Sequence, residues 1–195
     1  MSNQAYEIPF RQIGHDVFVW SKAKIVSPET ITIGDSVIVD DFAFIMGGEQ
    51  TVLGSFIHIA AFVSLVGGGR LIMEDFSGIS GGVRVYTGNE DYSGACLTNP
   101  AVPPPYRIPI RSFVHIGKHV IIGANAVVLP GVTIGEGAVV GANSLVTKDC
   151  EPWTMYVGSP AKPLKERPRE TMLGLERDLR AALYDESGRY IPQKT

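Results

Sequence analysis

The side chains of this sequence that are best suited to acid–base chemistry are four histidines and a pair of adjacent carboxylates. The carboxylates, Glu90 and Asp91, belong to the tetrapeptide Asn89-Glu90-Asp91-Tyr92. The histidines are His15, His58, His115 and His119. An imidazole suits deprotonation of a hydroxyl, whereas a carboxylate with an ordinary pKa of about 4.3 suits an amine that has already lost its proton. No Ser or Cys stands beside a base in a recognisable nucleophile motif, which favours direct group transfer without a covalent enzyme intermediate.

The element that must position these residues is indicated by an aliphatic residue at every sixth position. The uninterrupted run is Ile116, Ile122, Val128, Ile134, Val140 and Val146. Helical stripes return every three or four residues and half-buried strands every second one, so a period of six requires a chain that turns a corner after each short strand. The pattern predicts an all-β fold, a parallel β-solenoid of hexapeptides that is stable only as a stack of coils.

The same period continues upstream, interrupted at regular intervals. Sets of three inward positions begin at Ile13, Ile33, Leu53 and Met73, and each set supplies one triangular coil. Three hexapeptides account for 18 residues, so a spacing of 20 predicts two extra residues at the same corner of each coil. A sandwich of unrelated strands is the alternative, but it would need turn signals every 8–12 residues. One long excursion, residues 86–109, breaks the repeat, and loops of this length in a regular domain are usually functional.

Composition and charge exclude several classes of function. The chain of 195 residues has a net charge of −3. Binding of nucleic acid requires a basic face, which a chain of this charge is not expected to have. We see no apolar run long enough for a membrane span and no signal peptide, so we expect a cytoplasmic protein. Cys96 and Cys150 have no metal-ligand spacing and are expected to be free thiols. We divide the chain into a solenoid domain, 1–150, and a tail, 151–195.

The tail is first basic and then amphipathic. Its positive charges are Lys162, Lys165, Arg167 and Arg169. Apolar residues then recur at three- and four-residue spacing, at Met172, Leu175, Leu179, Ala182 and Leu183, and predict a helix between Pro168 and Gly188. We expect the apolar face of this helix to cap the open end of the solenoid or to meet a neighbouring subunit.

The upper half of the repeat carries a family resemblance. The stretch IGKHVIIGANAVVLPGVTIGEGAVVGANSLVTKDCEPWTMYVGSPAKPLKER resembles the hexapeptide-repeat, left-handed β-helix acyltransferases, in particular the sugar O- and N-acetyltransferases and the xenobiotic acetyltransferases. Its most specific part is the ending GSPAK. The resemblance implies a homotrimer that uses acetyl-CoA as cosubstrate without a metal, with each active site between two subunits beneath the long loop. In such a trimer, outward aliphatics such as Val63 and Val127 would be buried by the subunit contact.

The resemblance also implies where the cosubstrate binds. The pantetheine arm would lie along the backbone of the last coils, where an amide chain can meet exposed strand edges. The 3′-phosphate and diphosphate would face lysines, since phosphates suit flexible cations. The implied cofactor-binding residues are Gly123, Ala124, Gly141, Ala142, Ser144, Lys148 and Lys162.

The sequence departs from the family in the excursion. O-acetylating members usually carry a histidine at the position of Glu90, as general base for a hydroxyl. A carboxylate there favours an amine acceptor, so the sequence predicts N-acetylation of a nucleotide-linked amino sugar for surface polysaccharide synthesis. Glu90 or Asp91 would position the amine, and Asn89 and Tyr92 would bind the sugar.

A histidine base is the alternative, and it would make the protein a sugar O-acetyltransferase. If Ile110 resumes the coil after the excursion, then His58, Gly78 and His115 share one outward column on three successive coils, about 4.8 Å apart. Gly78 would then leave a substrate-binding notch between two imidazoles. His119 falls at a corner and is expected to be structural.

Two further functions compete with acyl transfer. The γ-type carbonic anhydrases are similar to this solenoid and bind a metal through histidines, so His58, His115 and His119 form a rival set of ligands. Zinc catalysis needs three convergent ligands, and His115 and His119 should leave different faces of the coil. A non-catalytic assembly module, which only displays a surface, is the third possibility and is favoured by the missing loop histidine.

Overall fold

The computed structural model describes residues 2–191, which wind through about seven coils. The lower four coils hold β1 (Gln12–Ile13), β2 (Phe18–Val19), β3 (Lys24–Val26), β4 (Ile31–Ile33), β5 (Ile38–Val39), β6 (Phe44–Met46), β7 (Gln50–Leu53), β8 (His58–Ile59), β9 (Ser64–Val66), β10 (Arg70–Met73), β11 (Gly78–Ile79) and β12 (Arg84–Tyr86). The excursion contributes β13 (Gly88–Asn89) and β14 (Ile110–Arg111). The upper part holds β15 (Phe113–Ile116), β16 (Ile121–Ile122), β17 (Val127–Val128), β18 (Val132–Ile134), β19 (Val139–Val140), β20 (Leu145–Val146), β21 (Thr154–Val157), β22 (Lys162–Glu166) and helix α1 (Glu170–Leu183). Single 3-10 turns occur at Ala5–Glu7 and Pro28–Thr30.

Parallel pairing from coil to coil produces three sheets, the sides of a triangular solenoid. The first sheet has the order β1-β4-β7-β10-β15-β18, the second β2-β5-β8-β11-β16-β19-β21-β22, and the third β3-β6-β9-β12-β17-β20. The last pair of the second sheet, β21 with β22, is antiparallel. The predicted left-handed parallel β-helix, with a long excursion loop and a C-terminal helix, is confirmed.

The aliphatic residues at period six form the core, as the sequence predicted. Ile59, Ile116 and Val140, for example, are completely buried. The residue two places before each of them also points inward, because side chains alternate along a strand. Val63, expected to be an outward residue at a subunit contact, is therefore buried in the core. The extra residues of the lower coils lie at the corner between the third and first sheets, as predicted, and one of these insertions forms the turn Pro28–Thr30.

The excursion begins and ends at this same corner. Its stem is a short antiparallel pair, in which Asn89 lies opposite Ile110. The coil itself resumes at β15, where Ile116 pairs with Met73. The prediction that Ile110 resumes the coil is wrong, because that residue completes the stem of the loop.

The predicted outward column of His58, Gly78 and His115 is therefore also wrong. Gly78 lies between His58 and Ile121 on the second sheet. His115 lies on the first sheet, opposite Ile72. The two imidazoles therefore face different sides of the solenoid and share no notch.

The C-terminal helix forms where the sequence predicts it, but it does not cap the solenoid. It lies along the corner between the first and second sheets, against a column of stacked rings formed by corner residues with positive φ. The ring centroids are 4.8 Å apart for Phe56 and Phe76, 5.2 Å for Phe76 and His119, and 6.1 Å for His119 and Trp153. In the part of the chain that the structure describes, no helix is long and apolar enough to cross a membrane.

Polar and cation–π contacts attach α1 to this column. The guanidinium of Arg180 lies 5.0 Å from the centre of the Phe76 ring and donates a 2.6 Å hydrogen bond to Asp75. Glu176 lies 2.6 Å from Nε2 of His119. Leu175, one of the apolar residues that predicted the helix, is 63% exposed. At the upper end, Cys150 and Tyr156 are buried members of the core.

Candidate active site

A cleft of about 890 Å³ opens where the excursion leaves the solenoid. One wall is apolar and consists of the residues that directly follow inward core positions on four successive coils, namely Met46, Val66, Tyr86 and Leu129. The opposite wall comes from the excursion and its stem, and includes Asn89, Glu90, Tyr92, Arg107 and Arg111. The repeat therefore supplies a flat apolar surface, and the loop adds polar and charged groups above it.

Glu90 faces this cleft in a fork-shaped ion pair with Arg107. Nε of Arg107 donates to both carboxylate oxygens, at 2.8 and 3.0 Å, and Nη2 donates to Oε1. These hydrogen bonds lower the pKa of Glu90 and raise that of Arg107. Glu90 is therefore ionised at neutral pH and held in one orientation, which suits it to position a cationic or amine group better than to carry a proton.

Asp91 has a different environment from its neighbour. Its oxygens accept hydrogen bonds from the backbone N–H groups of Ser93, Ala95 and Cys96 and from the Ser93 hydroxyl, at 2.6–3.2 Å. These bonds, that from the Ser93 hydroxyl foremost, lower the pKa of Asp91 to about 2. Four donors inside its own loop occupy this carboxylate, so it organises the turn at 91–96.

The other predicted sugar-binding residues are divided between two places. Asn89 and Tyr92 line the cleft beside Glu90, and the Tyr92 side chain is exposed. Gly78 lies on the outer face of the second sheet, which is opposite the corner that bears the excursion. A Cβ at Gly78 would meet no atom within 4 Å, so the position is open.

Each candidate histidine is paired with a carboxylate on an outer face. Nε2 of His58 lies 3.0 Å from Oδ2 of Asp40 beside the open Gly78 position. Nε2 of His115 lies 2.8 Å from Oε1 of Glu74 on the first sheet. Neither imidazole lines the cleft.

His119 is buried and bonded to Glu176, in keeping with the structural role expected for a corner. With His115 on the first sheet and His58 on the second, the three histidines of the rival metal set lie on two sides and a corner of the solenoid. Within residues 2–191, no group of three His, Cys, Asp or Glu side chains is arranged to hold a metal ion.

The residues expected to bind pantetheine form a continuous edge between the second and third sheets. Gly123 donates to the carbonyl of Val140 at 2.7 Å, and Asn143, next to Ala142, donates to the carbonyl of Ala124 at 2.9 Å. Gly141 continues the edge into the final coil. Ser144 is buried, and its hydroxyl accepts a 3.1 Å hydrogen bond from the backbone of Gly158. It therefore anchors the Gly158–Ala161 turn above this edge.

The basic residues of the upper end have different surroundings. Lys162 is exposed on β22 at the end of the second sheet, whereas Lys148 follows β20 at the corner between the third and first sheets. Arg167 points inward and donates to the carbonyls of His119 and Gly137, at 2.8 and 2.9 Å. Burial lowers the pKa of this guanidinium. Lys162 and Lys148 are thus exposed, while Arg167 holds the backbone together.

Sequence reasoning missed both arginines of the cleft and its apolar wall. The wall had a signal, because each of its members follows a period-six residue by one place. Arg107 and Arg111 are the positive charges of the excursion and its stem, but the sequence does not show that Arg107 pairs with a glutamate 17 residues away.

Three comparisons with known proteins point to the same family. Residues 113–148 match the family described as bacterial transferase hexapeptide (six repeats). The chain is 41% identical over 170 residues to dTDP-4-amino-4,6-dideoxy-D-glucose acyltransferase of Escherichia coli, covering 87% of this chain and 88% of the relative. AntD, an N-acyltransferase from Bacillus cereus, is 37% identical in its complex with dTDP and 3-hydroxybutyryl-CoA, with a TM-score of 0.85 and coverage of 92% and 94%.

A variant of AntD has been solved in complex with dTDP-4-amino-4,6-dideoxyglucose and Coenzyme A. It is 36% identical to this chain, with a TM-score of 0.84 and coverage of 92% of this chain and 95% of that one. These likenesses cover 87–92% of the chain and are not confined to residues 113–148. The chain therefore belongs to the hexapeptide-repeat, left-handed β-helix acyltransferases and is a CoA-dependent acyltransferase.

Proposed function

We propose that the enzyme transfers an acetyl group from acetyl-CoA to the amine of a dTDP-linked 4-amino-4,6-dideoxy sugar. The observation that carries this proposal is the 41% identity, over 87% of the chain, to an acyltransferase named for that substrate. The AntD complex that contains the same nucleotide sugar together with Coenzyme A supports it. The ionised Glu90 in the cleft supports it independently, since a carboxylate held in one orientation by Arg107 can accept a hydrogen bond from an amine. The expected setting is surface polysaccharide synthesis in the cytoplasm.

The chemistry is direct transfer between two bound substrates. The amine loses its first proton to solvent before attack, because a protonated amine has no free electron pair. Its nitrogen then bonds to the thioester carbonyl carbon, the carbon–sulfur bond breaks, and the second amine proton leaves with the CoA thiolate. Glu90 holds the amine and Arg107 holds Glu90, while rate comes chiefly from fixing the two reactants together.

The enzyme would work as a homotrimer in which two subunits complete each site. The acceptor lies in the cleft of one subunit, against Asn89 and Tyr92. Acetyl-CoA lies along the Gly123–Ala124 and Gly141–Ala142 edge, with Lys148 and Lys162 near its phosphates. The observation that supports sharing is that the two halves of the site lie at different corners of one subunit. The acceptor cleft lies between the third and first sheets, and the proposed acetyl-CoA edge lies between the second and third sheets, so a neighbour would bring its edge to this cleft.

The test is an assay with defined substrates. The chain is incubated with acetyl-CoA and dTDP-4-amino-4,6-dideoxyglucose, free thiol is followed, and the product is identified by mass spectrometry and NMR. We expect an N-acetyl amide on the sugar amine. An alkali-labile ester on a sugar hydroxyl, with the amine untouched, would instead establish O-acetylation. A parallel run with 3-hydroxybutyryl-CoA tests the choice of acyl group.

A further inference from the structure

The two walls of the cleft differ in chemistry in a way that matches one class of ligand. Met46, Val66, Tyr86 and Leu129 make one side flat and apolar. The other side carries two arginines against a single glutamate, within a chain whose net charge is −3. A ligand with a flat ring at one end and concentrated negative charge at the other would complement both walls.

The two arginines are not equivalent. The charge of Arg107 is neutralised by its fork-shaped pair with Glu90. Arg111 takes part in none of the salt bridges formed by residues 2–191. Its Nη1 donates to the backbone carbonyl of Gly67, which leaves its other N–H groups for a ligand.

The solenoid is shaped to hold the Arg111 guanidinium in this position. It lies over the turn at 67–69, where a Cβ on Gly68 would come within 2.7 Å of Cζ of Arg111. Gly68 also has a φ of +74°, which disfavours other residues. A guanidinium fixed in this way loses little conformational freedom on binding, so its planar set of donors is prepared for phosphate oxygens.

We propose that Arg111 binds the diphosphate of the nucleotide sugar and that the nucleobase end lies against the apolar wall at Tyr86. This inference rests on the proposed function and deepens it, because it assigns the nucleotide to the cleft of the excursion. The reaction brings together two phosphate-bearing molecules, and each requires its own cations. Lys162 lies on the uppermost strand of the second sheet, away from this corner. Of the two arginines that line the cleft, Arg111 is the one without a carboxylate partner among residues 2–191.

The experiment measures binding of three ligands, dTDP, thymidine and CoA, to the full chain by titration calorimetry. The variants are Arg111→Gln, Arg111→Lys and a matched control, Arg84→Gln. Arg84 is exposed on β12, the strand that precedes the excursion, and also donates to a backbone carbonyl, that of Gly82 at 2.7 Å, but it does not line the cleft. Loss of a charge-assisted contact should weaken dTDP binding by Arg111→Gln about tenfold to a hundredfold, with less loss for Arg111→Lys.

Thymidine separates a phosphate contact from a structural effect. We expect Arg111→Gln to leave thymidine and CoA binding within about twofold of wild type, so that the advantage of dTDP over thymidine shrinks. Unchanged dTDP binding, or an equal loss for dTDP and thymidine, would overturn the role of Arg111 and leave the proposed function standing. A wild-type chain that binds CoA but not dTDP would overturn the proposed function itself, and this inference with it.

Discussion

At the scale of single residues, acyl transfer to an amine depends on a Glu90 carboxylate that stays ionised and fixed. Replacing Glu90 by Gln removes the charge but keeps the shape of the side chain. We expect kcat to fall about 10²-fold, because the amine loses the fixed carboxylate that orients it for attack. Steady-state kinetics with the amino sugar measure the loss. Glu29→Gln, at an exposed carboxylate on the same corner of a lower coil, should change kcat by less than about twofold.

A second prediction concerns the two histidines that are paired with carboxylates on the outer faces, His58 with Asp40 and His115 with Glu74. His58 and His115 lie outside the cleft, so His58→Asn and His115→Asn should each retain most of the activity. The pH profile distinguishes the alternatives, because kcat/KM should keep rising toward alkaline pH as the free amine accumulates. Loss of activity confined to one histidine variant, together with a limb in wild type near a pH of about 6.5, would establish a histidine base and O-acetylation.

Sequence reasoning located some of these residues and missed others for a physical reason. The tetrapeptide at 89–92 was visible because it interrupts the repeat, and three of its four members line the cleft. The role of Asp91 was not visible, since adjacent carboxylates look alike until one of them accepts four hydrogen bonds from its own turn. Arg111 lies two residues before β15, and its partner Gly67 is 44 residues away.

At the scale of elements, helix α1 should make the stability of the protein depend on pH. Burial alone would raise the pKa of Glu176, but hydrogen bonds from Arg180 and His119 lower it to about 2, from 4.5. A carboxyl whose pKa is lowered by folding stabilises the protein above its unfolded pKa and loses that contribution as pH falls toward its folded pKa. The contribution of Glu176 should therefore be complete near pH 6 and disappear between about pH 4.5 and 2.

Urea unfolding of wild type and Glu176→Gln at several pH values measures this contribution. The difference in the free energy of unfolding should be largest near neutral pH and shrink below about pH 4. Asp178→Asn, at an exposed position of the same helix, serves as the control. An equal difference at all pH values would mean that α1 is held by packing rather than by the Glu176 charge.

The period of six predicted the strands, the corners and the core, because each inward aliphatic must be buried by the coil above it. It failed at the end of the excursion, since Ile110 and Arg111 have the polarity of a hexapeptide strand but pair with β13. The helix was predicted from its apolar spacing, yet it is attached through Glu176 and Arg180. Their partners are His119 for Glu176, and Asp75 and the Phe76 ring for Arg180. All lie more than 50 residues away in sequence, so no local pattern indicates them.

At the scale of the whole molecule, the outer face of the second sheet should be an interface between subunits. One column on this face contains Ile38, His58, Gly78 and Ile121, and both isoleucines are 44% exposed. Ile121→Glu should convert a trimer to monomers and abolish activity, as measured by light scattering and thiol release. Ile72→Glu, a comparable exposed position on the first sheet, should leave the trimer intact. A fully active wild-type monomer would contradict a shared site.

The proposed function requires that the acceptor is an amine on a nucleotide sugar. The most direct measurement compares kcat/KM for two acceptors that differ only at that group, dTDP-4-amino-4,6-dideoxyglucose and its 4-hydroxy counterpart, at a fixed concentration of acetyl-CoA. We expect a preference for the amine of about 10³-fold or more, because Glu90 is fixed to accept a hydrogen bond from an amine and no imidazole lines the cleft to activate a hydroxyl. Equal rates, or a preference for the hydroxyl sugar, would contradict it.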